Sequence, residues 1–348
     1  MSKFVTLDEV RAAKERIAGV AVRTPLYRVE RARLQMAKIA EPEFDLYIKA
    51  ESEQPIGSFK LRGAYNMVAQ LSPEALKRGV ITYSSGNHAQ GVAYAARALG
   101  AKAVIVMPKN APEIKKAATR ALGAEIVEVG PASLERKVKA EELVAEFGYA
   151  MIPPYDAPEI IAGQGTCGLE IVEQLPGVDL VISPVSGGGL LSGIATAVKL
   201  AAEAGLAKPE VQVWGAEPEL AADAKESFET KTLVEWPASK TTRTIGDGLR
   251  TQSLGALNFE HVLRFVNGIV TVSEEEIFAA MKVMLAVTKL VPEPSGAVTL
   301  AAALFHAHEL GDIVKGAKKV AVVLSGGNLE PALRERLEGE LAAGSTRR

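Results

Sequence analysis

Short apolar runs of strand length alternate with longer amphipathic stretches along most of this chain. Val80–Tyr83, Ala103–Met107, Glu125–Val129 and Tyr149–Ile152 are separated by helical patterns at 88–99, 113–122 and 132–147, with Gly or Pro at the joints. The rhythm resumes after a helix at about 158–175, with strands at Asp179–Ser183, Val211–Ala216, Gly268–Val272 and Lys319–Leu324. Strand–helix alternation of this kind predicts right-handed βαβ crossovers, hence parallel sheets flanked by helices: an α/β fold. Thr6-Leu7-Asp8-Glu9 and Ser273-Glu274-Glu275-Glu276 are capping boxes, opening helices that run to about Ile17 and Leu290.

Composition narrows the picture. A chain of 348 residues suggests roughly two domains. With 48% apolar and only 5% aromatic residues, its core must be built from Ala, Val, Leu and Ile. Basic and acidic residues number 40 and 42, without a basic block, so no nucleic-acid partner is expected. Cys167 is the single cysteine, which precludes an internal disulfide and fits a reducing compartment. Met1–Val5 lacks the apolar segment of a secretion signal, and no apolar run is long enough to span a bilayer. No membrane contact and a cytoplasmic location are therefore expected.

Open parallel sheets bind ligands beyond the carboxyl ends of their strands, so the loops there carry the chemistry. Ser186-Gly187-Gly188-Gly189-Leu190, between a strand and a helix, lets backbone amides and a helix N-terminus approach an anion. It matches neither a P-loop nor a dinucleotide loop, so a monophosphate is the better guest; a tight turn for close packing is the plain alternative. Ser84-Ser85-Gly86-Asn87-His88 follows the 80–83 strand and could cradle a carboxylate, or simply cap a helix. Ser325-Gly326-Gly327-Asn328 closes the last strand as a further polar cup or a plain turn. In Gly57-Ser58-Phe59-Lys60, the lysine is either a snorkelling surface residue or a desolvated amine reactive toward carbonyls.

Taken together and in order, from Thr24-Pro25-Leu26 to Ser325-Gly326-Gly327-Asn328, these motifs resemble the fold-type II pyridoxal-phosphate enzymes, in the branch of serine/threonine dehydratases and serine racemases. The resemblance implies a two-lobed, tryptophan synthase β-like fold. Residues 1–77 and 153–348 would form the large cofactor domain, and 78–152 a small mobile one. Pyridoxal 5′-phosphate would be held by Lys60 as a Schiff base, beside Phe59, with its phosphate on Ser186, Gly187, Gly188, Gly189 and Leu190. Asn87 would meet the cofactor's 3′-oxygen and Ser325 its ring nitrogen. A hydroxyl at that position weakens the electron sink and favours expulsion of a β-substituent. Ser85 would face Lys60 across the substrate, while Ser84, Ser85, Asn87 and His88 hold its carboxylate. Glu217, the Ala221 carbonyl and Asp223 match a divalent-cation site suited to Mg²⁺ or Ca²⁺.

The implied activity is elimination of water from L-threonine or L-serine, giving a 2-keto acid and ammonia, by a homodimer acting on a small amino acid. Serine racemisation, dehydration or racemisation of 3-hydroxyaspartate, and non-catalytic cofactor binding are the alternatives. Tyr155, where racemases carry Asn, points toward the dehydratases, and Thr251 replaces a serine of the substrate pocket. Arg136 falls where racemases have an arginine near the substrate side chain. A solvent-facing helix arginine is the simpler expectation; an arginine in the pocket would favour a β-carboxylate substrate. The chain ends soon after Asn328, so feedback through a C-terminal regulatory domain is not expected.

Overall fold

Parallel strands buried on both faces are held by helices packed above and below, and the expected alternation becomes two sheets. The computed structural model describes residues 4–36, 42–84, 86–111, 113–130, 133–315 and 318–346. The strands in order are β1 (Leu26–Arg28), β2 (Asp45–Ala50), β3 (Val80–Tyr83), β4 (Ala103–Pro108) and β5 (Glu125–Val129). After them come β6 (Ala150–Met151), β7 (Leu180–Pro184), β8 (Gln212–Pro218), β9 (Gly268–Val272) and β10 (Lys319–Leu324). One sheet has the order β1-β2-β10-β7-β8-β9 and the other β5-β4-β3-β6. All pairings are parallel except β1 with β2. Both capping boxes form, heading helices Leu7–Arg16 and Glu274–Thr288. No helix among the described residues is long and apolar enough to cross a membrane.

Among the elements that the sequence patterns did not reveal, three escaped for a plain physical reason. β1 is a three-residue edge strand, too short for a period-two pattern to register. β2 carries Lys49 in its interior, fully buried, so its apolar run is broken by a charge. The helix Pro294–Phe305 is apolar on every side because it lies buried against the large sheet, and a uniformly apolar helix has no stripe to read.

The helix Lys60–Val68 sits where the two layers meet, packed against both Asn87–Ala98 and Pro158–Gln174. Its approach to Pro158–Gln174 is backbone to backbone: a Cβ on Gly163 would stand 2.6 Å from the Cα of Gly63. Beneath this contact lies a fully buried charge network. The Arg62 guanidinium forks onto Glu51 at 2.7 and 2.8 Å and onto Glu170 at 2.7 and 2.8 Å. Lys49 Nζ closes the set on Glu170 at 2.6 Å, and Thr24 Oγ1 donates to Glu51 at 2.6 Å. Burial alone would raise the Glu51 pKa, but Arg62 and Lys49 outweigh it and hold the carboxyl at about 2.

Removing one member of such a set leaves the others buried without a counter-charge. Arg62→Ala is expected to cost about 3–5 kcal/mol, measured by urea unfolding with an unchanged slope. Because Glu51 is depressed below its ordinary value of 4.5, its contribution is fully present above that value. It should be lost as pH falls toward 2, and acid unfolding of the wild type should show that dependence.

Candidate functional site

A cleft of about 690 Å³ opens between the two sheets. Three of its walls are the loops after β3, β7 and β10, at the carboxyl ends of parallel strands. Lys60 lies on its floor. Gly57 turns the chain with φ at +72°, and the segment that follows runs against the β10 loop. Phe59 N donates to Ser325 O at 3.0 Å, and Gly327 N to Gly57 O at 2.9 Å. Two of the glycine-rich segments read separately in the sequence are therefore one hydrogen-bonded unit. The Lys60 amine donates to Pro154 O at 2.6 Å, with Phe59 alongside at 5.2 Å. Desolvation, opposed by the Glu293 carboxyl, lowers its pKa to about 8. The snorkelling surface alternative fails: the amine points inward.

The loop after β7 wraps the start of helix Gly189–Glu203. Ser186 adopts a left-handed φ of 56° and Gly188 one of 93°. A Cβ on Gly187 would fall 2.5 Å from the Tyr155 ring, and one on Gly188 2.8 Å from Asn258. Close packing thus requires the glycines, and it also brings the loop backbone to the cleft wall. First-turn helix amides lack intrahelical acceptors, so this end can receive an anion. The Ser186 hydroxyl donates to Gly248 O at 3.0 Å and lies 3.2 Å from Thr251 Oγ1. Asn258, a residue the motifs did not flag, clamps the loop from behind through Gly187 O at 3.0 Å and Tyr155 O at 3.2 Å.

Asn87 and Ser325 both line the cleft, and so does Glu293, which the sequence reading missed. Its Oε1 accepts from Asn87 Nδ2 at 2.8 Å, while Asn87 Oδ1 accepts from Asn328 Nδ2 at 2.7 Å. The Asn87 amide is thereby held with its donor edge toward the acid. Burial, reinforced by Asp247, raises the Glu293 pKa to about 8. A Cβ on Gly326 would meet Glu293 Oε1 at 2.3 Å, so a side chain there would displace the carboxyl. The available signal was Pro292-Glu293-Pro294, a lone acid between prolines at the mouth of a helix without charged residues.

Ser84 and His88 also line the cleft; Ser85 lies outside the described residues. His88 is buried, with Nε2 3.0 Å from Ile152 O. Burial, then the nearby Lys60 charge, drives its pKa to about 3, so its ring is neutral. Arg136 does not face solvent, correcting the simpler expectation: it is half-buried on the cleft wall facing Tyr83, and desolvation lowers its pKa. Lys115 reaches from the helix Glu113–Ala121 to Asp247 and Glu330 at the cleft edge.

Away from the cleft, Glu217 lies near the end of β8, Ala221 ends a short turn, and Asp223 begins the helix Asp223–Thr230. All three are buried. Burial, then Asp223, pushes the Glu217 pKa well up, and burial raises Asp223 to about 7. Asp223 Oδ2 has no hydrogen-bond partner among the described residues. Two buried acids, one with an orphaned oxygen, fit a hard divalent cation. The cleft fits the cofactor just as well: an inward amine, a helix N-terminus for a phosphate, and a buried serine hydroxyl open onto one cavity.

The family model for pyridoxal-phosphate dependent enzymes matches residues 17–326. The chain is 41% identical to the L-threo-3-hydroxyaspartate ammonia-lyase of Saccharomyces cerevisiae over 82% of this chain and 83% of that one. It is 38% identical to the serine racemase of Schizosaccharomyces pombe, over 93% and 94%. A solved T.th. threonine deaminase superposes with a TM-score of 0.82 at 44% identity, covering 93% of this chain and 99% of that one. With its motif order, sheet topology and family match in agreement, the chain belongs to the pyridoxal-phosphate dependent enzymes of fold type II, in the serine/threonine dehydratase and serine racemase branch.

Proposed function

We propose that this protein is an ammonia-lyase that removes water from a small β-hydroxy amino acid, L-threonine or L-serine, to give a 2-keto acid and ammonia. The observation that carries the reading is the inward Lys60 amine, its pKa brought to about 8 by desolvation, in one cavity with the β7 loop and Ser325. Bound pyridoxal phosphate supplies an electron sink that acidifies the substrate's α-proton. Lys60 is the residue that takes that proton, its amine partly neutral near physiological pH. The Pro154 carbonyl orients it. Ser325 offers a neutral hydroxyl, which favours loss of the β-substituent over long-lived charge. Ser84, the first amides of Asn87–Ala98 and neutral His88 receive the substrate carboxylate through dipoles and hydrogen bonds. Residues 78–152 form the mobile lobe in this reading, with Lys115 reaching the opposite wall. A cytoplasmic homodimer and a Mg²⁺ or Ca²⁺ ion on Glu217, Ala221 and Asp223, as a structural support, belong to the same proposal.

A second reading has its own support. Arg136 on the cleft wall can pair with a carboxylate on the substrate's β-carbon, which favours L-threo-3-hydroxyaspartate, the substrate named for the yeast relative.

Lys60→Ala should lose the visible absorbance of bound cofactor together with keto acid production, and borohydride reduction of the wild type should label Lys60 in peptide maps. Arg136→Leu should raise KM for 3-hydroxyaspartate about 10- to 100-fold, the worth of a charged hydrogen bond, and leave that for L-serine nearly unchanged. Parallel keto acid and enantiomer assays separate lyase from racemase turnover. Asp223→Asn should abolish the loss of thermal stability that a chelator causes in the wild type.

A further inference from the structure

Two of the chain's four histidines stand together at the end of Pro294–Phe305 remote from the cleft. His306 caps that helix, its backbone N–H reaching Ala302 O at 3.0 Å, and Glu309 N donates back to His306 O at 3.0 Å. This turn folds the Glu309 carboxylate onto both rings. Its Oε1 lies 2.7 Å from His306 Nδ1 and 4.0 Å from His308 Nε2, and the rings are 5.8 Å apart at 28°. One donor atom from each of His306, His308 and Glu309 lies within 4.8 Å of the others, a grouping unique among the described residues.

We propose that His306, His308 and Glu309 bind a divalent transition ion of the Zn²⁺ type, separate from the oxygen-donor site at Glu217. Bonds of about 2.0–2.2 Å place the ligand atoms of a tetrahedral ion roughly 3.4 Å apart. The present separations bracket that figure, and exposed His308 is free to rotate into range. Two imidazoles and a carboxylate leave a fourth position for water and select Zn²⁺, Ni²⁺ or Cu²⁺ over Mg²⁺ and Ca²⁺.

The site also has an outer support. His306 Nε2 lies 3.0 Å from Glu276 Oε2, the carboxylate–imidazole arrangement that orients a metal-bound histidine. Glu276 is fixed in turn by the second capping box, accepting from Ser273 N at 2.8 Å. Lys225 stands 3.7 Å from the other Glu309 oxygen, so the ion takes Oε1 and competes with one nearby positive charge. A bound ion joins the start of Glu274–Thr288 to the end of Pro294–Phe305, the helix whose first residue follows Glu293, and stabilises the fold by mass action.

The test is competition between the holoenzyme and a chromogenic zinc chelator, in excess Mg²⁺, for the wild type, His308→Ala and Glu276→Gln. The wild type should retain a Zn²⁺ ion per chain that Mg²⁺ does not displace. His308→Ala, at an exposed position, should lose at least about tenfold in affinity, as should Glu276→Gln, which keeps the capping box. Turnover and folding without zinc should be unchanged in both. Absence of zinc uptake by the wild type, or uptake by both variants equal to the wild type's, overturns the proposal.

Discussion

The position of Lys60 is tied to Arg62, two residues along the same helix, which is locked into a buried set of two cations and two anions. That set joins β2, the turn after it, the helix Lys60–Val68 and the helix Pro158–Gln174. Surface ion pairs are worth little, but here every charge is desolvated and each guanidinium edge is used. A buried network of this kind is poor at adding stability and good at specifying one arrangement, which is what a residue with a fixed reach requires. Gly63 and Gly163 complete the constraint by letting the two backbones touch.

Desolvation then does the chemical work that the ion network makes possible. It pushes each buried ionisable group toward its neutral form: Lys60 down to about 8, His88 down to about 3, Glu293 up to about 8. The amine and the acid are thus both shifted toward neutrality from opposite sides. Strongly shifted ionisable groups of this kind cluster at functional sites. It also means that Asn87, bonded to Glu293, faces a partner that is an acid or a carboxylate depending on pH.

The strand–helix alternation made the parallel sheets legible, and the post-strand loops at 84–88, 186–190 and 325–328 stood out because Gly, Ser and Asn cluster there. Lys60 was legible only through the whole motif set, since a lone lysine between apolar residues reads equally well as surface. Arg62, Glu51 and Glu170 were not, because nothing in the sequence around a charge tells where along the chain its partner waits. Glu293 and Asn258 escaped for the same reason: each acts on a loop distant in sequence. Arg136 was read toward solvent because helix Ser133–Phe147 has many charges, and only the tertiary arrangement distinguishes which one turns inward.

Glycine in the β7 loop illustrates why one sequence signal can serve two readings at once. Tyr155 and Asn258 press so closely on Gly187 and Gly188 that side chains there would clash with or without a ligand. That pressure nevertheless comes in part from the segment that also supplies the Pro154 carbonyl to Lys60. Packing and anion binding are therefore the same constraint seen from two sides: the wall that forbids a Cβ also keeps the helix N-terminus and the amine facing one cavity. Arg136, proposed above to read the substrate's β-substituent, stands outside this constraint on the cleft wall. A change at that position therefore alters the cleft wall without touching the contacts that fix the β7 loop.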